Sequence, residues 1–109
     1  MAGSEAMVVL VTCGSRAEAR NIARAVVEKR LAACVNVVTA AVESVYRWKG
    51  KLESAREFLL IVKTTLRRFE ALKAEILRLH SYDVPEIIAL PVKAGSKRYL
   101  QWVKSSVQP

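Results

Sequence analysis

The sequence predicts an α+β fold: a split β-α-β sheet with helices on one face, extended by one long β-hairpin and closed by a C-terminal helix. Three observations carry that prediction. Apolar runs of strand length alternate with stretches whose apolar residues recur at helical spacing. The resulting order is strand, helix, strand, strand, helix, strand, helix. Finally, Trp48-Lys49-Gly50-Lys51 reads as a hairpin with a two-residue loop, because glycine in the second loop position accepts positive φ without a Cβ clash.

Residues 7–12 are continuously apolar up to Thr12, as expected of a buried strand. Gly14 breaks the run, and Ser15 with Glu18 has the spacing of a capping box, in which Ser15 accepts from a backbone N–H and Glu18 reaches back. Behind that cap Ala19, Ile22, Ala23, Val26 and Val27 share one helical face that continues to Leu31. Arg16, Arg20, Arg24 and Glu28 line the opposite, solvated side. The chain is then extended over 36–48 and again over 51–64, where the densest apolar run is 58–62. Thr65 is placed to cap a second helix, with Leu66, Phe69, Leu72, Ile76 and Leu79 as its core stripe. His80 ends that helix, and Pro85 forbids its continuation. A further strand occupies 86–92, with Pro91 marking a bulge or an edge. Gly95 and Ser96 open a short last helix that packs through Tyr99, Trp102 and Val103. Right-handed crossovers then set the first two strands parallel with the third between them, a ferredoxin-like split βαβ sandwich.

The hairpin carries a consequence of its own. A thirteen-residue strand at roughly 3.3 Å per residue reaches about 43 Å. A globule of 109 residues has a radius of gyration near 13 Å, hence a diameter of roughly 34 Å. The hairpin overruns such a globule, and its edges and apolar side chains need cover. Another copy of the chain is the simplest source, so the sequence predicts a homo-oligomer.

Length and 52% hydrophobic content suit one domain, expected over 7–107, with 1–6 as a short leader. No apolar stretch approaches the ~20 residues of a membrane span, and the start has no signal-peptide pattern, so the expected location is cytoplasmic. Two cysteines, Cys13 and Cys34, are too few for a disulfide framework, and the predicted topology sets them at opposite ends of the sheet. With 18 basic and 10 acidic residues the net charge is +8, which permits nucleic acid or an acidic ligand as partner. For nucleic acid, charge is the main support. Tyr46 and Trp48, flanked by Arg47, Lys49 and Lys51, resemble a single-strand platform, yet aromatics on an overrunning hairpin suit a subunit interface better.

Catalytic signatures are weak: His80 is the only histidine, no nucleophile elbow or phosphate loop is present, and the acids form no evident pair. The chain therefore reads as a binding protein and not an enzyme. Its most polar short stretch, HSYDVPE at 80–86, sets an imidazole, a phenol and two carboxylates in one loop. Such nitrogen and oxygen donors suit a divalent metal, the imidazole favouring copper, zinc or nickel.

RLAACVN at 30–36 and SVYRWKGKLE at 44–53, followed by IVKT at 61–64, HSYDVPE at 80–86 and YLQW at 99–102, closely resemble the CutA divalent-cation-tolerance family. The match runs in order over nearly the whole chain. The resemblance implies a ferredoxin-like subunit in a tight homotrimer, similar to the PII signalling proteins, with ligands in clefts between subunits. It implies tolerance of copper or other divalent cations, and no agreed reaction. Of the copper ligands it implies, a Cys closing the first strand and a His pair, this chain keeps His80. Val11 stands where the Cys would be, Cys13 lies two positions on, and Leu79 replaces the first His. The segment 38–44 lacks the family's proline and is one residue longer, as a bulge would require.

Two functions follow as expectations. In the first, a homotrimer binds Cu(II) or another divalent cation through His80, Cys13, Asp83 and Glu86, with Tyr46 and Trp48 at the trimer interface. In the second, a PII-like sensor takes a small anion in an inter-subunit cleft lined by Cys34, Asn36, Lys63, Tyr82 and Trp102.

Overall fold

The apolar run ending at Thr65 belongs to a single strand of fifteen residues, and all but one of the remaining strands pair with it. The computed structural model describes residues 5–108. The elements are β1 (Ala6–Cys13), α1 (Arg16–Glu28), β2 (Cys34–Val37), β3 (Val42–Trp48), β4 (Lys51–Thr65), α2 (Leu66–Leu79), β5 (Ile87–Pro91) and α3 (Lys97–Ser106). The sheet runs β2-β4-β1-β5, with β3 pairing the outer half of β4. Every pairing is antiparallel, so β1 and β2 run parallel to each other with β4 between them. This is the expected ferredoxin-like order.

The turn forms as its residues demand. Trp48 pairs with Lys51, and both loop residues have positive φ, 51° at Lys49 and 79° at Gly50, the signs of a type I′ hairpin turn. The expected strand over 36–48 is not continuous. Val37 faces Leu60 and Val42 faces Glu57, so four residues, 38–41, lie opposite two, 58 and 59. Val38 N–H still reaches the Leu59 carbonyl at 2.9 Å, whereas the Thr39 carbonyl turns outward to accept from Arg16 Nε at 2.9 Å. The bulge is thus held from outside the sheet by the first turn of α1.

Strand alternation divides the sheet into two unlike faces. Val9, Val11, Cys13, Leu60 and Val62 point to the helices and close a core with Ala19, Ile22 and Val26 of α1 and Leu72 and Ile76 of α2. Thr64, fully buried, donates through Oγ1 to the Leu31 carbonyl at 2.7 Å. The register places Val8, Leu10, Ile61, Ile88 and Leu90 together on the other face, where Ile88 is 49% and Leu90 48% exposed. On the part of that face near α3, Ala33, Val103 and Val107 form a separate small cluster.

Four local expectations need correction. β1 begins at Ala6, one residue inside the expected leader, whose first four residues lie outside those described. Thr65 holds the N-cap position of α2 but makes no side-chain cap, because it is itself the buried last residue of β4, paired with Ala6. α1 stops at Glu28, and Arg30 at φ 59° folds the chain back so that Leu31 N–H meets the Val26 carbonyl at 2.9 Å. Val27 and Leu66, expected in the two helical core stripes, are 40% and 44% exposed at the edges of those stripes.

The molecule measures 44 × 26 × 24 Å, its length drawn out by the long hairpin. No helix among the described residues is long and apolar enough to cross a membrane. At the turn, a Cβ on Gly50 would meet no atom within 4 Å, so only its backbone conformation constrains the residue. Gly50→Val should therefore destabilise the protein by about 1 kcal/mol in chemical denaturation, through the left-handed penalty alone. Gly50→Asn should cost less, and equal effects of the two would contradict this turn.

Candidate functional site

Three chain segments converge where β1 ends: the Thr12–Cys13 corner, the first turn of α1, and the loop that leaves α2. Ser15 caps α1 by accepting from Glu18 N–H at 3.1 Å. Glu18 does not complete the capping box. Its carboxylate instead accepts from Ser81 N–H at 2.6 Å and Ser81 Oγ at 3.2 Å, which anchors the loop.

His80 stands at the centre of this junction, 8% exposed. Its backbone N–H closes the last turn of α2 on the Ile76 carbonyl at 2.8 Å. Its ring lies 2.8 Å from the Thr12 carbonyl through Nε2 and accepts from Tyr82 N–H at 3.1 Å through Nδ1. A carbonyl can only accept and a backbone N–H only donate, so these contacts together require the Nε2–H tautomer. The Tyr82 ring leans on the imidazole, centroids 4.8 Å apart, and its hydroxyl donates to Glu57 Oε2 at 2.8 Å. Gly14 permits this approach, since a Cβ there would lie 3.1 Å from the Tyr82 hydroxyl oxygen.

Cys13, fully buried, completes a cluster in which its sulfur and one ligand atom each of Glu18 and His80 lie within 4.8 Å of one another. Burial first, and then the negative charges of Glu18 and Glu57, push its thiol up to about 12. Such a thiol is a poor nucleophile and gives up its proton to a metal reluctantly. The imidazole nitrogens and both Glu18 oxygens also have partners already. The donor types fit copper or zinc, but the cluster as folded is a closed hydrogen-bonded joint, which a metal enters only by displacing one of those bonds.

The other two expected metal ligands lie elsewhere. Asp83 and Glu86 line a cavity of about 710 Å³ beneath the hairpin, together with Tyr46, Trp48, Glu57 and Tyr82. The four residues expected to hold one metal are therefore divided between a buried joint and an open pocket. All the ionisable acids and bases that line the cavity are carboxylates or tyrosines; no lysine or arginine does. Glu57 is only 8% exposed, and its sequence neighbours make it look like a solvent-facing strand residue. Its burial depends on Tyr82, 25 residues away. Glu18 and Glu57 are the site residues that sequence reasoning misses, and the signal for Glu57 was a lone acid directly before an apolar strand run.

The expected anion cleft is also dispersed within one protomer. Cys34, Asn36 and Lys63 share the open sheet face through the pairs Cys34–Lys63 and Asn36–Ile61. Tyr82 belongs to the pocket beneath the hairpin, and Trp102 lies on α3, half-exposed, beside Tyr99 at 5.5 Å between centroids. Both cysteines are free.

Cys13 and Tyr82 make stability pH-dependent with a defined sign. Both groups have pKa values raised by burial, and for Tyr82 also by its bond to Glu57, so the folded state retains protons that the unfolded chain releases. The Cys13 contribution is complete below the thiol's ordinary 9.0 and is lost as pH rises toward 12. Thermal denaturation between these limits should show a falling midpoint that Cys13→Ala makes less steep; an unchanged slope would contradict a buried neutral thiol.

Residues 7–106 match the family model of the CutA1 divalent ion tolerance protein. The chain is 50% identical over 99 residues to the "Divalent-cation tolerance protein CutA" of Thermus thermophilus, a match covering 91% of this chain and 95% of that one. It is 46% identical over 102 residues to "Protein CutA, chloroplastic" of Arabidopsis thaliana, covering 94% of this chain but 56% of the plant protein. The solved structure of the divalent cation tolerance protein from Thermus thermophilus superposes with a TM-score of 0.92 at 48% identity, over 94% of this chain and 99% of that one. Kinship of this extent, on a fold shared from end to end, makes the chain a member of the CutA1 divalent ion tolerance family.

Proposed function

We propose that this chain is a homotrimeric divalent-cation-binding protein, and that the cation is held in the pocket beneath the hairpin. One observation carries the reading. On a chain of net charge +8, the cavity of about 710 Å³ beneath the hairpin collects Glu57, Asp83 and Glu86 and, among the described residues, no basic one. That arrangement concentrates negative potential locally on a chain whose net charge is positive, and it favours a cationic ligand over an anionic one. Carboxylate and hydroxyl oxygens suit hard divalent cations, and Cu(II) exceeds them in affinity at most oxygen and nitrogen sites. His80 adds a nitrogen ligand only by giving up a backbone hydrogen bond, so the copper site expected at His80 and Cys13 ranks behind the pocket.

The trimer is supported by what the single chain leaves uncovered: the apolar sheet face and a hairpin on which Leu52 is 72% exposed. Tyr46 and Trp48 stand on that hairpin, so a neighbouring copy seated against it borders the pocket. We assign no catalytic role, since Cys13 holds its proton and His80 has both ring nitrogens committed. Two free cysteines suit a reducing compartment such as the cytoplasm.

Native mass spectrometry with Mn(II), whose preference for oxygen keeps it off thiols, tests assembly and site together. The expected species is three subunits with up to three bound ions. Glu57→Gln with Asp83→Asn should weaken Mn(II) uptake about tenfold or more, the scale typical of disturbed metal shells, while Cys13→Ala, which removes the thiol of the buried joint and none of the loop's hydrogen bonds, leaves it in place. A monomer overturns the assembly, and loss of uptake in Cys13→Ala alone overturns the site.

The anion-sensor reading has one specific observation behind it. Lys63 is half-buried on the open sheet face and forms no ion pair among the described residues. A half-buried lysine without a carboxylate partner leaves its ammonium available to an anionic ligand. A thermal-shift screen with nucleotides and small organic acids should then stabilise the protein, and Lys63→Gln should remove the shift. Absence of any stabilising anion at millimolar concentration disposes of this second reading.

A further inference from the structure

The pocket beneath the hairpin is larger, and more aromatic, than a metal ion needs. A bare or partly hydrated cation held by carboxylates occupies a small part of about 710 Å³, a size within the usual range of small-molecule sites. Tyr46, Trp48 and Tyr82 contribute three rings to the wall. Opposite charges to a metal are present, but so is a surface that metals do not use.

Glu57 supplies the second, independent observation. It is more than nine-tenths buried, yet it has no cationic partner among the described residues. Tyr82 donates to Oε2 only. Among the described residues Oε1 has no donor, and because none of their buried side-chain oxygens is left without a partner, Oε1 keeps access to solvent. The cavity that Glu57 lines provides that access. A carboxylate so deeply placed, with one oxygen free toward a cavity, is completed by a positive ligand.

Negative oxygens beside aromatic rings are the chemistry that recognises an organic cation. Ring faces attract a cation through their quadrupole, and alkyl groups on nitrogen add apolar area that the rings can cover. We propose that this pocket binds a small organic ammonium ion, with Glu57 as counter-charge and Tyr46, Trp48 and Tyr82 as aromatic walls. The proposal rests on the reading of the pocket as a cation site and names the class of cation that fills its volume. Divalent metal and ammonium then compete for Glu57, and the rings distinguish them.

Calorimetric titration of the protein with tetramethylammonium chloride, at constant ionic strength, tests the assignment. The expected result is saturable binding that Mn(II) displaces and that the uncharged counterpart, neopentyl alcohol, does not reproduce. Trp48→Leu should weaken tetramethylammonium about fivefold while leaving Mn(II) affinity unchanged, and Glu57→Gln should weaken both. Tyr46→Leu serves as the second aromatic variant should Trp48→Leu disturb assembly. If Mn(II) binds through Glu57 and tetramethylammonium does not bind, the ammonium assignment fails alone and the metal reading stands. If neither binds, both fail. Equal binding of neopentyl alcohol makes the pocket merely apolar and also overturns the proposal.

Discussion

The pairing of one long strand with three partners is the constraint on which the molecule depends. β4 hydrogen-bonds with β1 and β2 along its inner half and with β3 along its outer half. Its register therefore decides at once how the core closes, where the hairpin leaves the sheet, and which side chains gather at that point of departure. Glu57 occupies the position where β2 has ended and β3 begins, opposite Val42. A backbone that switched partners elsewhere would move the carboxylate out from under the hairpin. The bulge at 38–41 accommodates the switch, and Arg16 fixes it by holding the Thr39 carbonyl.

The second joint is built from backbone groups that the first leaves unpaired. β1 ends with the Thr12 carbonyl, and α2 ends with a histidine that can reach it. By bonding Thr12 on one side and Tyr82 on the other, His80 turns the loop so that Tyr82 covers Glu57 and Asp83 and Glu86 face the cavity. Glu18 pins the same loop through Ser81. The histidine thus acts on the pocket through geometry, which explains why the most obvious metal-ligand type in the chain is the one least free to bind a metal.

Much of the fold was legible from local chemistry. The I′ turn follows from Lys49-Gly50 between paired strands, the cap of α1 from Ser15, and the two helical stripes from their spacing. A bulge within 38–44 was legible too, but its form was not: four residues, 38–41, lie opposite two, and an arginine 23 residues earlier holds the segment. The loop 80–86 was recognisable as chemistry-bearing, but the sequence could not separate an inward-turned His80 from an outward Asp83. Glu57 stayed hidden for the same reason: alternation assigns it to a face, while a tyrosine from another element decides that the face is covered there. Glu18 illustrates the limit most simply, since a capping-box glutamate and a loop anchor have the same spacing, and tertiary contact chooses between them.

In the proposed function the pocket carboxylates, and not the Cys13–His80 joint, receive the cation. An anomalous-scattering map from crystals of the protein soaked in Mn(II) locates the ion directly. The predicted result is a peak against the Glu57 carboxylate, bordered by Asp83 or Glu86, with the His80 hydrogen bonds to Thr12 and Tyr82 intact. A peak between Cys13 and His80, with either of those bonds broken, would contradict it.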